Sequence, residues 1–298
     1  MNHLASHPFD RSGHAALSDL KTGEWRELFG QLEREQARFL QQETAFRSPD
    51  YPWPRDPLHE WSRCWEYPYA FHHLRAFRQG WCGNAQPLAV DVGSGVTFFP
   101  FALASLGFNV VCTDTDPICR TDLERAVPRV AHAPGQVSFR LIEGDRLPCG
   151  DGEAQVVFCL SVLEHVPDFA QTVREIARVL AADARLVLTV DLDLRGDHEL
   201  GVAPYQRLRA ELRRHFDLVH PEVSVHPADL LRTCNSPYRC ETPAGLAKAL
   251  FLLKQNVLKP LLGRKPRPLR EFDLATLGLV LAPRIGGKTA AGVSGSGG

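Results

Sequence analysis

The stretch LAVDVGSGVTFFPFALASLG, residues 88–107, decides the fold. Leu88, Ala89, Val90 and Val92 form the short apolar run of a strand covered on both faces in a parallel sheet. Asp91 stands at its carboxyl end, where open α/β sheets bind ligands. Gly93 and Gly95 let the chain turn sharply and leave main chain bare against a ligand, where a Cβ would obstruct. Pro100, Phe101, Ala102, Leu103 and Leu106 read as the helix that follows. Strand, glycine turn and helix together make a seat for a nucleotide-like cofactor.

Two cofactor classes use such a turn. A dinucleotide fingerprint is GxGxxG, whose third glycine lets helix and strand pack closely and whose helix N-terminus holds a pyrophosphate. Phe98 occupies that third position and is too large for it. An acid two residues before the first glycine repels pyrophosphate and attracts a cation. In this the chain resembles the class I S-adenosylmethionine-dependent methyltransferases, whose first motif is DxGxG.

The remaining motifs follow in order. Val110, Val111, Cys112 and Thr113 form a second apolar run ending in Asp114, about 20 residues beyond the first acid, where such sheets place a carboxylate on the ribose hydroxyls. Thr115, Asp116 and Pro117 resemble the family's turn after its second strand, with Pro117 suited to a helix start. Residues 137–142 alternate as a third strand, closed by Glu143, Gly144 and Asp145. The resemblance makes Asp145 the acceptor for the adenine amino group, with Arg146 beside it. Residues 154–160, AQVVFCL, read as a fourth strand, followed by Ser161, Val162, Leu163, Glu164, His165 and Val166. This matches the LEHV segment of the family's small-molecule branch. Asp168 precedes an amphipathic helical run through Phe169, Val173, Ile176 and Val179, and residues 185–190 make a fifth strand. The resemblance implies a doubly wound α/β fold with a seven-stranded, mostly parallel sheet and an antiparallel edge strand. Its cofactor would be S-adenosylmethionine, held by Asp91, Gly93, Ser94, Gly95, Asp114, Thr115, Asp145, Arg146 and Ser161.

Bulk properties agree. At 298 residues the chain accommodates one α/β domain with sizeable additions, and 44% hydrophobic content supports a large core. A net charge of -1 provides no overall basic field for nucleic acid, so no nucleic-acid partner is expected. The eight cysteines include no CxxC pair and read as reduced thiols of a cytoplasmic protein. No apolar run reaches the length of a membrane span, and no secretory signal opens the chain.

Residues 1–86 are expected to form a helical cap and residues 87–285 the cofactor-binding domain, with an insertion at about 224–273 and a disordered tail at 286–298. In the cap, residues 24–46 carry apolar side chains at mostly helical spacing. The segment Trp61, Arg63, Trp65, Glu66, Tyr67, Pro68 and Tyr69 mixes aromatic walls with polar tips and reads either as the wall of a substrate pocket or as a satellite core, and His72 and His73 read either as reaching the cleft or as an incidental pair on an exposed helix face. Residues 205–215 read as a helix, 216–220 as a strand and 277–281 as the antiparallel edge strand. Within the insertion, a helix at 244–262 and the basic residues after it read as an ordinary amphipathic element with a solvated face, or as a peripheral contact with an anionic membrane or phosphorylated substrate.

Methyl transfer from a sulfonium needs chiefly alignment of the nucleophile and exclusion of water. A base matters when the acceptor arrives protonated, and His165 is the candidate, with Glu164 beside it. Acids and a histidine hold a divalent cation in some related O-methyltransferases; no full ligand set is identified here, and no metal site is assigned. The expected activity is methyl transfer to a hydroxyl or amine of a small molecule or glycan. The alternatives are an inactive cofactor-binding interaction subunit and an NAD(P)-dependent oxidoreductase. Acceptor and oligomeric state stay open.

Overall fold

The computed structural model describes residues 7–196, 200–238 and 273–284. Its strands are β1 Gly13–His14, β2 Leu88–Val92, β3 Asn109–Asp114, β4 Gln136–Leu141, β5 Ala154–Leu160, β6 Leu180–Asp193, β7 Phe216–Leu218 and β8 Leu274–Pro283. The helices are α1 Gly23–Gln41, α2 Glu43–Phe46, α3 Arg63–Gly80, α4 Phe99–Ser105, α5 Pro117–Ala126, α6 Phe169–Val179 and α7 Val202–His215.

The strands form one eight-stranded sheet in the order β1-β8-β6-β5-β2-β3-β4, with β7 also paired to β8. The pairings from β4 through β6 are parallel, and β8 runs antiparallel to β6. The chain winds from β2 to β3 and β4 in one direction and from β5 to β6 in the other. The switch therefore lies between β2 and β5, where such sheets open a crevice beyond the strand ends.

The expected seven strands are present, and the N-terminal segment adds an eighth. β1 pairs Gly13 with Gly278 and His14 with Leu277, on the edge of β8 that β7 also borders. β8 is thus one position in from the edge among the described residues. The insertion helix expected at 244–262 and the tail at 286–298 lie outside the described residues.

Side-chain alternation explains why both faces are covered. Ala89, Val110, Cys112, Val156, Phe158 and Val187 join one apolar cluster, while Val90, Val111, Val157, Cys159, Leu186 and Leu188 join the other. Period-two strands that are apolar at every position need a layer on each side. α6 and α7 cover the second face. The first is covered by α4 and α5 together with the N-terminal helices: Leu28, Leu32, Phe39 and Phe46 pack in the same cluster as Phe98, Phe99 and Phe101.

Local chemistry fixes the element ends. Asp116 caps α5 by accepting from Ile118 N at 2.9 Å, with Pro117 at the first helical position. Asp168 caps α6 by accepting from Gln171 N at 3.0 Å. α3 contains Pro68, which has no N–H to give the carbonyl of residue 64. That carbonyl instead accepts from Trp25 Nε1 at 2.8 Å, which ties α3 to α1.

Candidate active site

The carboxyl ends of β2, β3 and β5 open into a cleft of about 570 Å³. Asp91, Gly93, Ser94, Gly95, Asp114, Thr115, Asp145, Arg146, Ser161 and His165 all line it, so the structure brings together every residue expected to hold the cofactor.

The glycine turn is shaped for a ligand. Gly93 has φ +71°, and a Cβ there would stand 2.7 Å from the Val162 side chain, in the segment that leaves β5. Gly95 has φ +52°, and its N–H donates to Asp114 Oδ2 at 2.9 Å. Asp114 Oδ1 accepts from Asp116 N at 3.0 Å. This carboxylate at the end of β3 is fixed in place by backbone donors while it borders the cleft. Asp91 is buried, and desolvation followed by the Asp114 charge pushes its carboxyl well above the ordinary range, against the pull of Arg63.

Residues 47–51 grip the turn. Tyr51 Oη accepts from Val96 N at 2.8 Å, and Arg47 Nη1 donates to Val96 O at 3.1 Å, so the N–H and C=O of one residue are both held. The Arg47 guanidinium lies 4.1 Å from the Tyr51 ring centroid. Ser48 N donates to Asp122 Oδ2 at 2.9 Å, anchoring the same segment to α5.

α3 supplies a buried polar junction. Glu66 is fully buried and accepts from Ser161 Oγ and Thr189 Oγ1, each at 2.5 Å, and from Arg63 Nη1 at 2.7 Å. Arg63 also donates to Leu160 O at 3.3 Å, at the end of β5. Ser161 has φ +50°, a left-handed conformation that a Cβ disfavours by about 1–2 kcal/mol. Bonds from its N–H to Thr189 O at 3.0 Å and Thr189 Oγ1 at 3.1 Å help to hold it there.

The aromatic residues of α3 divide by helical face. Tyr67 lines the cleft together with Trp53, Pro54, Pro57, Glu60 and Arg63. Trp65 and Tyr69, expected as substrate residues, do not. They are fully buried on the opposite side and stacked with centroids 4.5 Å apart; Trp65 Nε1 donates to Asp19 Oδ2 at 2.7 Å and Tyr69 Oη to Arg11 O at 2.9 Å. His72 is also away from the cleft, with Nε2 2.8 Å from Asp10 Oδ1 and its ring stacked on His7. Of the two readings of this segment, the satellite core describes Trp65 and Tyr69 and the pocket wall describes Tyr67.

The LEHV segment divides likewise. His165 borders the cleft. Glu164, expected beside it as a catalytic group, is absent from the lining and accepts from Asp191 N at 3.0 Å. Burial, followed by the charge of Asp191, pushes the Glu164 carboxyl well up. Its geometry is that of a brace between the turn and β6.

Arg47, Tyr51 and Thr189 are not singled out by the sequence, whereas Arg63 and Glu66 are, as the polar members of the aromatic segment. The partners of Tyr51 and Thr189, and that of Arg47 on the turn, lie tens of residues away, while the helical spacing of Glu60, Arg63 and Tyr67 is a local signal.

Among the described residues no helix is long and apolar enough to cross a membrane. Residues 90–188 match the family described as methyltransferase domain. An uncharacterized methyltransferase of Mycobacterium ulcerans (strain Agy99) is 31% identical over 201 residues, covering 65% of this chain and 76% of its own. One from Mycobacterium tuberculosis (strain ATCC 25618 / H37Rv) is 30% identical over 198 residues, with the same coverage. Among solved structures, the [4+2]-cyclase SpnF superposes with a TM-score of 0.51 at 15% identity, over 86% of this chain and 95% of its own; it shares the fold.

Proposed function

The chain belongs to the methyltransferase family, with S-adenosylmethionine as cofactor, and from that premise we propose that it methylates a hydroxyl or amine of a small molecule or glycan. The observation that carries this reading is the roofed cleft. Its volume of about 570 Å³ lies within the roughly 300–1,000 Å³ of small-molecule sites.

The cofactor supplies an activated methyl group on a sulfonium, so the protein's work is alignment and exclusion of water. The bare main chain at Gly93 and Gly95 and the carboxylate of Asp114 fit a ribose-bearing ligand against the turn. Asp91, whose carboxyl burial pushes well up, offers a counter-charge to a cationic ligand group, whose arrival favours the ionised carboxylate. Asp145 is assigned to the adenine end, and Ser94, Thr115, Arg146 and Ser161 are assigned to the cofactor as well.

The acceptor side is assigned to Trp53, Glu60, Arg63, Tyr67 and His165, all of which border the cleft. Tyr67 and Trp53 offer aromatic walls. Arg63 is fixed by Glu66 and orients polar groups of the acceptor. His165, which borders the cleft, takes the proton from an acceptor hydroxyl or ammonium. Burial raises the Glu60 carboxyl, which makes it a second proton-accepting group on the acceptor side. The buried free thiols Cys64, Cys112, Cys119, Cys149 and Cys159 support a reducing compartment such as the cytoplasm.

The test is transfer of label from methyl-labelled S-adenosylmethionine to a panel of hydroxylated and amino small molecules and sugars. Transfer that falls at least tenfold in His165→Ala, with cofactor affinity unchanged, supports this assignment. Transfer only to nucleic acid or protein would sink it.

A further inference from the structure

Asp10, His73 and His220 meet beside the outer edge of β8. Each contributes one donor atom to a set whose members all lie within 4.8 Å of one another. Donors bonded to one transition-metal ion at about 2.0–2.2 Å stand about 3–3.5 Å apart, so small side-chain rotations close the set on a single ion. We propose that Asp10, His73 and His220 form a structural site for a divalent transition-metal ion of the zinc type, which pins the N-terminal segment and α3 to the chain leaving β7.

His73 carries the argument furthest. Only 6% of it is exposed, and Nε2 has no hydrogen-bond partner among the described residues. The Phe9 backbone lies beside the ring. In a metal-ligating histidine one nitrogen faces a backbone carbonyl while the other keeps its lone pair for the ion, and the unpartnered Nε2 of His73 has that character.

The surroundings complete the set. Asp10 Oδ1 is 2.8 Å from His72 Nε2, and Oδ2 accepts from His7 N at 3.2 Å, so the carboxylate is oriented while each oxygen keeps a second lone pair. His72 stacks on His7 with centroids 3.7 Å apart, which holds this orienting ring in place. The His220 ring lies 4.9 Å from that of His73. Two imidazoles and one carboxylate suit zinc or a neighbouring first-row ion, whereas calcium and magnesium favour all-oxygen sets. Three protein ligands leave a fourth position to water.

None of these residues lines the cleft. The connection to it is mechanical, through α3, which carries His73 toward one end and Arg63, Glu66 and Tyr67 toward the other.

The experiment uses the full chain stripped with a chelator. Zn²⁺ is titrated in competition with a chromophoric chelator, Co²⁺ binding is followed by visible absorption, and thermal unfolding is recorded with and without Zn²⁺. One equivalent should bind and raise the melting temperature. Asp10→Asn and His220→Ala, at half-buried positions, should each weaken binding at least tenfold while retaining affinity for S-adenosylmethionine as a check on folding. Replacing the exposed Cys82 and Cys234 by serine should change nothing. The proposal is overturned by absence of saturable binding, by binding unchanged in both Asp10→Asn and His220→Ala, or by binding that disappears with the two cysteines.

Discussion

Glu66 accepts a hydrogen bond from Ser161 Oγ at 2.5 Å across 95 residues of sequence. The bond joins the first turn of α3 to the residue that leaves β5 in a left-handed conformation, and so ties α3 to the carboxyl end of β5. The same carboxylate holds Arg63 and Thr189.

Glu66→Ala should therefore act on the whole junction. It strips Arg63 of its buried counter-charge and leaves two hydroxyls without their acceptor, a loss of about 3–5 kcal/mol for a broken buried pair. Urea unfolding would measure it. Glu66→Gln, which keeps an acceptor oxygen, should lose clearly less; equal losses would mean that the charge is immaterial.

Tyr51→Phe removes the acceptor for Val96 N while keeping the ring under Arg47. The expected loss is about 1–3 kcal/mol, the penalty for a buried donor left unpaired. Cofactor affinity should fall with it, because Val96 adjoins Gly95 in the turn. A variant with wild-type stability and affinity would show that the grip of residues 47–51 on the turn is incidental.

Gly93→Ala places a Cβ 2.7 Å from Val162 at a φ of +71°. Both the clash and the left-handed backbone oppose it, and the expected destabilisation is about 1–3 kcal/mol. Calorimetric titration should show cofactor binding weakened by more than the stability change explains.

Asp91 sets a pH dependence of defined sign. Its folded pKa lies above its unfolded value, so between the two the native state keeps a proton that the unfolded state has released. Stability of the free protein should decline as pH rises from the ordinary carboxyl range toward the folded pKa, by at most about 1.4 kcal/mol per pH unit for this group. Asp91→Asn should flatten that decline. Binding of a cationic ligand should release a proton, visible as a binding enthalpy that varies with the ionisation heat of the buffer.

The glycine turn, the acids at the carboxyl ends of β2 and β3, and the helix starts after Asp116 and Asp168 were readable because each is a local pattern: alternation, turn chemistry, or a side chain bonding its own helix. The division of α3 was harder. Arg63 and Tyr67 are four residues apart and share a face, while Trp65, Tyr69, His72 and His73 lie on others, and composition alone does not say which face meets the cleft. Glu164 and His165 are sequence neighbours, and only the turn geometry separates their directions. The pairs Glu66 with Ser161 and Tyr51 with Val96 leave no local trace, since tertiary packing alone brings them together.

The central claim is that the cleft between β2 and β5 holds S-adenosylmethionine with Asp114 on its ribose. Calorimetric titration of the full chain and of Asp114→Ala tests it most directly, with thermal unfolding of the variant as a control for the lost bond to Gly95. One equivalent should bind the wild type at micromolar affinity. A well-folded Asp114→Ala should bind at least tenfold more weakly, as expected when hydrogen bonds to a charged group worth about 1.5–3 kcal/mol are lost. Wild-type affinity in the variant, or binding of NADH in place of S-adenosylmethionine, would contradict the account.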